Sequence, residues 1–446
     1  MNSLETPTER RTKAAQLAMD LQFSTDDLWQ QIWSQRNLLK ALKRVEKNKG
    51  APGVDGMTTD ELRPWFRDHW PEIKSLLDRG HYKPRPVRLV TIPKPGGGTR
   101  DLGVPNVVDR LIQQAILQVL NPIFDPGFSE SSFGYRQGRS AQQATKVAQS
   151  YIENGYSWIV DVDLDSFFDR VQHDVLMARV SRKVNDKSVL RLIGKFLRAG
   201  IMADGVKQPS AEGTPQGSPL SPLLSNIMLD DLDKELERRG HRVVRYADDI
   251  RVFVKTPRAA NRVLDGVTDF VENRLKLKVN AKKSRVSTAS EASMLGFGFW
   301  FDKAGQVRIS ISDSAKERLK KRLRTLTSRT WGISMQQRIF LLNRFIRSWM
   351  AYFAVADYRS FFRDIDGWMR RRLRQVTWTQ WPKTRTKRAK LRSLGIPEDT
   401  AKQWAGTSKG SWRIAGTALH RALPNSYWHN LGLVSLTDTW SAQRAR

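Results

Sequence analysis

The chain has 446 residues, with 76 Lys and Arg against 45 Asp and Glu, a formal net charge of +31. It contains no cysteine, which excludes disulfide scaffolds, thiolate zinc sites, iron–sulfur clusters and cysteine nucleophiles. The hydrophobic fraction of 39% is enough for packed cores, and the length predicts two to four domains. So large a positive charge points to a polyanionic partner, most often nucleic acid.

No membrane segment is expected. The N-terminus lacks the apolar stretch of a signal peptide, and the longest uncharged stretch, 213–229, is interrupted by prolines. We therefore predict no membrane partner and a cytoplasmic location in association with nucleic acid.

The predicted elements are a mixture of helices and short strands, and we expect an α+β multidomain protein. Helices are expected over 25–47, 60–79, 105–120, 140–154, 173–200, the stretch that ends near Gly240, 258–276, and from Ser314 onward. Strands are expected in a hairpin over 82–104 with PKPGGG at its tip, over 157–163, on both sides of Asp248–Asp249, and within 294–301.

Positive charge and tryptophan are concentrated in the C-terminal third. Residues 303–446 hold 30 Lys and Arg, 8 Asp and Glu, and 9 of the 15 Trp, a net charge of +22. This composition predicts a folded module that binds phosphates, with most of its tryptophans packed in the core.

Two acidic motifs point to a metal site. In VDVDLDSFFD (160–169), alternation along a strand places Asp161, Asp163 and Asp165 on one face, where their mutual repulsion is relieved by a divalent cation. In YADD (246–249), two acids occupy a turn that would usually carry Asn-Gly or Asp-Gly. Either motif alone is also explained by an ordinary polar turn. Together they match the carboxylates that hold two Mg²⁺ ions during nucleotidyl transfer to a 3′-hydroxyl.

The motifs resemble those of group II intron-encoded reverse transcriptases/maturases. They occur in the family's order, as NKGAPGVDGMT, IPKPGGGTRDLGVPNVVDRLIQQAI, SFGYRQGRSAQQA, VDLDSFFDRVQH, GTPQGSPLSPLLSNIMLDDLDKEL, RYADD, LKLKVNAKKS and LGFGF. The resemblance implies a right-hand polymerase fold. It places an N-terminal tail in 1–24, an N-terminal extension and fingers in 25–155, the palm in 156–302, the thumb and maturase domain in 303–385, and a DNA-binding segment in 386–446.

By this resemblance Asp163, Asp248 and Asp249 form the catalytic triad. The metal ligands are Asp163, the carbonyl of Leu164 and Asp248, with two Mg²⁺ ions expected and Mn²⁺ as the alternative ion. Asp163 is preferred to Asp161 because the family's motif has an aromatic residue five positions after the ligand. That aromatic is Phe168, the expected steric gate against a ribose 2′-hydroxyl. Asp161 stays open as the alternative ligand.

Other roles follow from the same motifs. The residues expected to bind the incoming dNTP are Lys94, Arg100, Leu164, Phe168, Gln216 and Gly217. Lys283 resembles the lysine that protonates the leaving pyrophosphate, with Lys282 as the near alternative. Leu295, Gly296 and Phe297 resemble the primer grip, and Arg110, Gln113 and Gln114 are expected to face the template. The expected nucleic-acid-binding residues are Lys383, Arg385, Lys387, Arg388, Lys390 and Arg392.

Two features depart from many family members. Ser218 stands where many relatives have a second glycine after PQG, beside the expected nucleotide pocket. The cysteine pairs of an HNH endonuclease are missing, so the chain most resembles the compact bacterial class C proteins.

The resemblance predicts an RNA-directed DNA polymerase that also acts as a maturase. Its expected partners are group II intron RNA, an RNA template with a DNA primer, dNTPs and target DNA, with no obligate protein partner. The alternatives are a splicing factor without polymerase activity, against which the intact acidic triad argues, and a domesticated, intron-free reverse transcriptase in defence or repair. Only the sequences that flank the gene distinguish the last alternative from the first.

Overall fold

The computed structural model describes residues 27–93, 97–203, 206–208, 213 and 217–445. The chain forms two compact units. The first contains Met1–Tyr151 and Gly155–Ser287, and the second contains Ile152–Asn154 and Thr288–Arg446. The five segments expected from the family resemblance stay predictions.

The helices of the first unit cover its sheets. They are α1 (Leu28–Trp33), α2 (Gln35–Asn48), α3 (Leu62–Asp78), α4 (Val107–Phe124), α5 (Ala141–Glu153), α6 (His173–Val180), α7 (Lys187–Leu197), α8 (Ser221–Arg238) and α9 (Pro257–Asn273). The predicted single helix over 25–47 is two helices, because Ser34 adopts an extended conformation between α1 and α2.

The first unit contains two four-stranded sheets. Their strands are β1 (Val87–Pro93), β2 (Thr99–Val104), β3 (Trp158–Val162), β4 (Ile201–Ala203), β5 (Val206–Gln208), β6 (Arg242–Tyr246), β7 (Asp249–Val254) and β8 (Arg285–Thr288). One sheet has the order β2-β1-β4-β5 and the other β6-β7-β3-β8. The predicted hairpin is β1–β2, paired antiparallel from Arg88↔Val104 to Pro93↔Thr99, while the β4–β5 hairpin was not predicted.

Helix α4 lies at the centre of the first unit. In its N-terminal half, 107–116, apolar residues such as Leu111, Ile112 and Ile116 are fully buried, and polar residues on the other faces, including Asp109 and Gln113, are buried as well. A helix that is buried on all sides cannot keep a solvated polar face. Its polar side chains therefore have to find partners inside the protein.

The second unit combines a small sheet with a helical array. The sheet has the order β11-β10-β9 and contains β9 (Ser293–Met294), β10 (Phe297–Phe301) and β11 (Val307–Ile311). The helices are α10 (Asp313–Leu326), α11 (Met335–Phe353), α12 (Arg359–Thr379), α13 (Thr384–Ser393), α14 (Glu398–Ala405), α15 (Ser411–Gly416), α16 (Ala418–Ala422), α17 (Asn425–Asn430) and α18 (Leu436–Arg444).

The two units confirm the predicted α+β multidomain class, because helices and mostly antiparallel sheets occur side by side. In the part of the chain that is described, no helix is both long and apolar enough to cross a lipid bilayer.

Candidate active site

The acidic residues of both motifs lie at one end of the β6-β7-β3-β8 sheet. Strand β3 runs antiparallel to β7, with Val162 opposite Ile250, and Asp163 directly follows β3. The turn between β6 and β7 contains Ala247 and Asp248. Burial raises the pKa of Asp248, and the nearby charges of Asp249 and Asp163 raise it further. The fold thus brings the predicted triad into electrostatic contact.

Asp163 is fixed by the segment that carries the predicted lysine. The backbone N–H of Asn280 donates to the Asp163 carbonyl at 2.8 Å, and the Asp163 N–H donates to Ser284 Oγ at 3.0 Å. Between these two anchors, Lys283 Nζ lies 3.8 Å from Asp163 Oδ1. The structure therefore brings Asp163 and Lys283 together, although they are 120 positions apart in the sequence.

Asp161 and Asp249 share a cation instead. Arg251 is the cross-strand partner of Asp161, with Arg251 Nη2 3.5 Å from Asp161 Oδ2, and it also forms an ion pair with Asp249. Burial raises the pKa of Asp161, and Arg251 opposes that effect. Asp161 thus belongs to a charge pair within the sheet, whereas Asp163 lies beyond the strand end.

The donor set suits a hard divalent cation, since it consists of carboxylate oxygens, and the raised pKa of Asp248 reflects its burial together with a local excess of negative charge. Within the described ranges, however, no three acidic or histidine side chains are close enough to form a complete metal site. Asp163 and Asp248 fit the role of ligands, but the side-chain arrangement is not that of an assembled two-metal centre.

The YADD turn is held by a buried polar network that was not predicted. Ala247 adopts a left-handed φ of 60°, and its carbonyl accepts a hydrogen bond from Arg245 Nη1 at 2.9 Å. Arg245 is fully buried, pairs with the fully buried Asp233 at 2.6 Å, and donates to Asn226 Oδ1 and Ser132 Oγ. The visible signal was an arginine directly after the apolar pair Val243–Val244, but its partners lie elsewhere in the chain.

The backbone of the SFGYRQG motif packs against the same turn. A Cβ atom at Gly134 would lie 2.2 Å from the Ala247 backbone nitrogen, so this position requires glycine. The Gly134 carbonyl accepts a hydrogen bond from Asn226 Nδ2 at 2.9 Å. Burial and the charge of Asp248 raise the pKa of the neighbouring Tyr135. This motif is therefore part of the acidic site.

The residues predicted to bind the nucleotide are only partly described. Lys94 and Gln216 lie outside the described residues. Arg100 is exposed on β2, opposite Ile92, and the buried Leu164 forms a β-bridge with Val279. Phe168 packs edge-to-face on Phe167, with ring centroids 5.1 Å apart.

The glycine of the PQG motif makes a close backbone contact. Gly217 has a φ of 112°, and a Cβ there would lie 2.9 Å from the Gly103 carbonyl oxygen. Gly217 therefore lies against the backbone near the end of β2.

The prediction that Arg110, Gln113 and Gln114 face the template was wrong. All three are buried on α4. Arg110 donates to the carbonyls of Pro105 and Ala51, so it ties the Gly-rich loop after α2 to the start of α4. Gln113 Oε1 accepts a hydrogen bond from Ser218 Oγ at 2.5 Å. The serine that departs from the family pattern is therefore bound inside the protein.

The predicted primer grip lies in the second unit, at the turn between β9 and β10. Leu295 and Gly296 have φ values of 54° and 86°, and the Leu295 carbonyl accepts a hydrogen bond from Tyr352 Oη at 2.9 Å. Phe297 is buried and stacks on Tyr352, with ring centroids 5.4 Å apart. Helix α11 therefore fixes the shape of this turn.

The six predicted nucleic-acid-binding residues lie on or next to α13, but they have different surroundings. Arg388 and Arg392 form ion pairs with Glu398, and Lys387 Nζ lies 4.5 Å from the centroid of the Trp378 ring. The remaining members are exposed. They are Lys383, Arg385 and Lys390.

Comparisons with known proteins identify two matching families. The profile of the reverse transcriptase (RNA-dependent DNA polymerase) family matches residues 92–299, and that of the group II intron maturase-specific domain matches residues 316–395. Protein YkfC of Escherichia coli K12 is 30% identical over 353 residues, which cover 68% of this chain and 91% of YkfC.

Two further proteins are similar over shorter parts of their length. The group II intron-encoded protein LtrA of Lactococcus lactis subsp. cremoris is 28% identical over 60% of this chain and 56% of LtrA, so the chain spans little more than half of that relative. A solved structure described as a partial Cas6-RT-Cas1–Cas2 complex is 28% identical over 55% of this chain and 42% of its own, with a TM-score of 0.35.

Proposed function

This chain belongs to the family of group II intron-type reverse transcriptases with a maturase domain, and we propose that it copies RNA into DNA by two-metal nucleotidyl transfer and assists the splicing and mobility of a group II intron. As a member of this family it is an RNA-directed DNA polymerase that binds nucleic acid and depends on a divalent metal. The metal count, the residue roles and the part in intron mobility belong to the proposal.

The observation that carries the proposal is the meeting of Asp163, Asp248 and Lys283 at one sheet end. The two carboxylates are the proposed ligands of Mg²⁺, together with the Leu164 carbonyl. Bound there, the ions would lower the pKa of the primer 3′-hydroxyl and neutralise the triphosphate. Asp249 is paired with Arg251, which favours a supporting electrostatic role for it.

The other residues would bind and orient the reactants. Lys283 is proposed to deliver a proton to the departing pyrophosphate, and Phe168 is proposed to exclude a ribose 2′-hydroxyl. Arg100, Lys94, Gln216 and Gly217 are proposed to hold the triphosphate and sugar, since guanidinium and ammonium groups bind phosphate oxygens well. Leu295–Phe297 would hold the primer end.

Primer extension on poly(rA) with oligo(dT), dTTP and Mg²⁺ tests the proposal. We expect Asp163→Asn and Asp248→Asn to lower the rate by about a hundredfold or more, as for other preorganised charge-stabilising groups. Asp161→Asn is the matched control, because it removes an equivalent carboxylate two positions earlier in the chain, within β3. RNA binding, measured by fluorescence anisotropy, should be retained in all three variants.

Greater loss from Asp161→Asn than from Asp163→Asn would reverse the assignment of the ligand. An unaltered rate in Asp248→Asn would contradict the proposed site as a whole. A separate splicing assay with the intron that flanks the gene tests the maturase role, and no stimulation by the wild-type chain would remove that part of the proposal.

A further inference from the structure

The basic cluster on α13 is divided by one acidic residue. Glu398 begins α14, and its carboxylate binds Arg388 through one oxygen and Arg392 Nε through the other, the latter at 2.7 Å. The two arginine side chains are still 48% and 62% exposed, so the pairs lie at the surface rather than in the core. Both guanidinium groups are reachable by a ligand, but their carboxylate partner already occupies them.

Three other members of the cluster have no such partner. Lys383, Arg385 and Lys390 are exposed, and none of them forms an ion pair within the described part of the chain. A phosphate can approach these side chains without first displacing a carboxylate. The cluster therefore contains an open set and a neutralised set of cations, and Lys387, half-buried over the Trp378 ring, belongs to neither.

Carboxylate and phosphate compete for arginine because the guanidinium group donates the same paired hydrogen bonds to both. We propose that Glu398 acts as an internal substitute for phosphate at Arg388 and Arg392, so that the phosphodiester backbone of a nucleic acid is bound by Lys383, Arg385 and Lys390 alone. The inference rests on the proposed nucleic-acid function and names the residues that perform the binding. Its effect is to limit the affinity of this helix for arbitrary phosphodiesters.

The salt dependence of binding measures the number of phosphates that the protein neutralises. Each contact adds about 0.9 to the slope of log K against log salt for duplex DNA, and about 0.7 for single strands. Guanidinium groups that are released from Glu398 add phosphate contacts and make the slope steeper, whereas removal of the open cations takes contacts away and makes it flatter. The slope therefore distinguishes the neutralised set from the open set even when their effects on affinity are similar.

The test compares Glu398→Gln with Asp399→Asn in the full chain. Both acids lie in the first turn of α14, so each change removes one negative charge from the same helix end, but only Glu398 binds the arginines. Fluorescence anisotropy with a DNA duplex and with an RNA hairpin, over a series of NaCl concentrations, gives the slopes. Thermal melting confirms that each variant is folded.

We expect Glu398→Gln to steepen the DNA slope by about 1.8, for two released arginines, and Asp399→Asn to leave it unchanged. The triple variant Lys383→Gln, Arg385→Gln, Lys390→Gln should flatten the slope by about 2.7. Arg388→Gln with Arg392→Gln should keep the wild-type slope. The slopes measured with the RNA hairpin, compared with those for the DNA duplex, show which nucleic acid is bound by Lys383, Arg385 and Lys390.

Two results would overturn the inference. A flatter slope in the Arg388→Gln, Arg392→Gln variant would mean that phosphate displaces Glu398, and an unchanged slope in the triple variant would mean that binding occurs elsewhere. Primer extension measured in parallel separates this inference from the proposed function. If the variants extend primers normally but their salt slopes differ from those expected, only the inference about Glu398 is contradicted and the proposed polymerase activity stands.

Discussion

The acidic sheet end and the basic α13 helix use arginine in opposite ways. Arg245 has no exposed surface, and all three of its guanidinium nitrogens are bound to the protein. Arg388 is half exposed and has one acidic partner. The first arginine fixes the shape of a turn, whereas the second lies where a phosphate could reach it.

The difference follows from solvation. A buried charge has lost its hydration, so removing its partner leaves an uncompensated ion in the interior. A surface pair keeps most of its hydration and contributes little to stability. The same substitution at the two arginines should therefore lower the free energy of unfolding by different amounts.

The largest effect is expected from Arg245→Met. The change leaves Asp233 buried without its cation, and we expect the free energy of unfolding to fall by about 3–5 kcal/mol. Arg388→Met, the matched change at the surface, should cost no more than about 1 kcal/mol. Denaturant titration followed by circular dichroism measures both values.

The double variant Arg245→Met, Asp233→Leu checks the cause. Replacing both members of a buried pair by apolar residues restores much of the stability that a single change removes. If the double variant were as unstable as Arg245→Met, packing rather than the unpaired charge would be responsible. Similar losses in Arg245→Met and Arg388→Met would break the comparison between the two regions.

The sequence predicted the parts of this site that depend on local patterns. Apolar runs located β3, β6 and β7, and the acids at the ends of these strands indicated a single metal site. The Arg245–Asp233 pair was missed because no local sequence pattern indicates that a particular strand residue contacts a particular helix residue. The β4–β5 hairpin was missed because its strands contain only three residues each.

Helix α4 shows why polar side chains misled the sequence interpretation. Arg110 and Gln113 were expected to face a template because of the family resemblance of the motif that contains them. The structure buries the N-terminal half of this helix on all sides and satisfies both side chains internally. Which faces of a helix are covered depends on tertiary packing, and no periodicity in the helix itself contains that information.

Burial also makes one acid of α4 sensitive to pH. Burial raises the pKa of Asp109 to about 7, although Tyr82 Oη donates a hydrogen bond to it at 2.8 Å. The folded chain thus keeps a proton that the unfolded chain loses near pH 4, so Asp109 destabilises the fold progressively as pH rises from about 4 to about 7. Relative to wild type, Asp109→Asn should gain up to about 1.4 kcal/mol per pH unit in that window.

The half-buried Asp302 provides a control of opposite sign in the second unit. Hydrogen bonds from the Gln306 backbone, Arg308 and the Ala304 backbone lower its pKa, so its stabilising effect is present at neutral pH and is lost as pH falls through that lowered value. Asp302→Asn should therefore be less stable than wild type at neutral pH, with a difference that shrinks in acid. Thermal melting across pH measures both variants, and parallel trends would contradict the contrast between an acid whose pKa is raised by burial and one whose pKa is lowered by hydrogen bonds.

The smallest effect is expected at Ser218, where a buried hydrogen bond lies beside the proposed nucleotide site. Ser218 Oγ donates to Gln113 Oε1, and α8 begins three residues after Ser218, so the bond links the segment between Gly217 and α8 to α4. A neutral hydrogen bond contributes about 1 kcal/mol, which corresponds to about a fivefold change in an equilibrium constant. If the bond positions the motif for nucleotide binding, Ser218→Ala should raise the KM for dNTP by about that factor and leave kcat unchanged.

A double-mutant cycle with Gln113→Leu isolates this bond. Because each single change removes the same interaction, the two changes together should raise KM hardly more than one alone. Ser218→Thr keeps the hydroxyl and should restore most of the affinity if the added methyl group is accommodated, which a purely steric role for Ser218 would not allow. Independent effects of Ser218→Ala and Gln113→Leu on KM would show that the serine acts on the nucleotide site without α4. Ser218 would then not belong with the interior polar groups, such as Arg245, that fix the shape of a neighbouring segment.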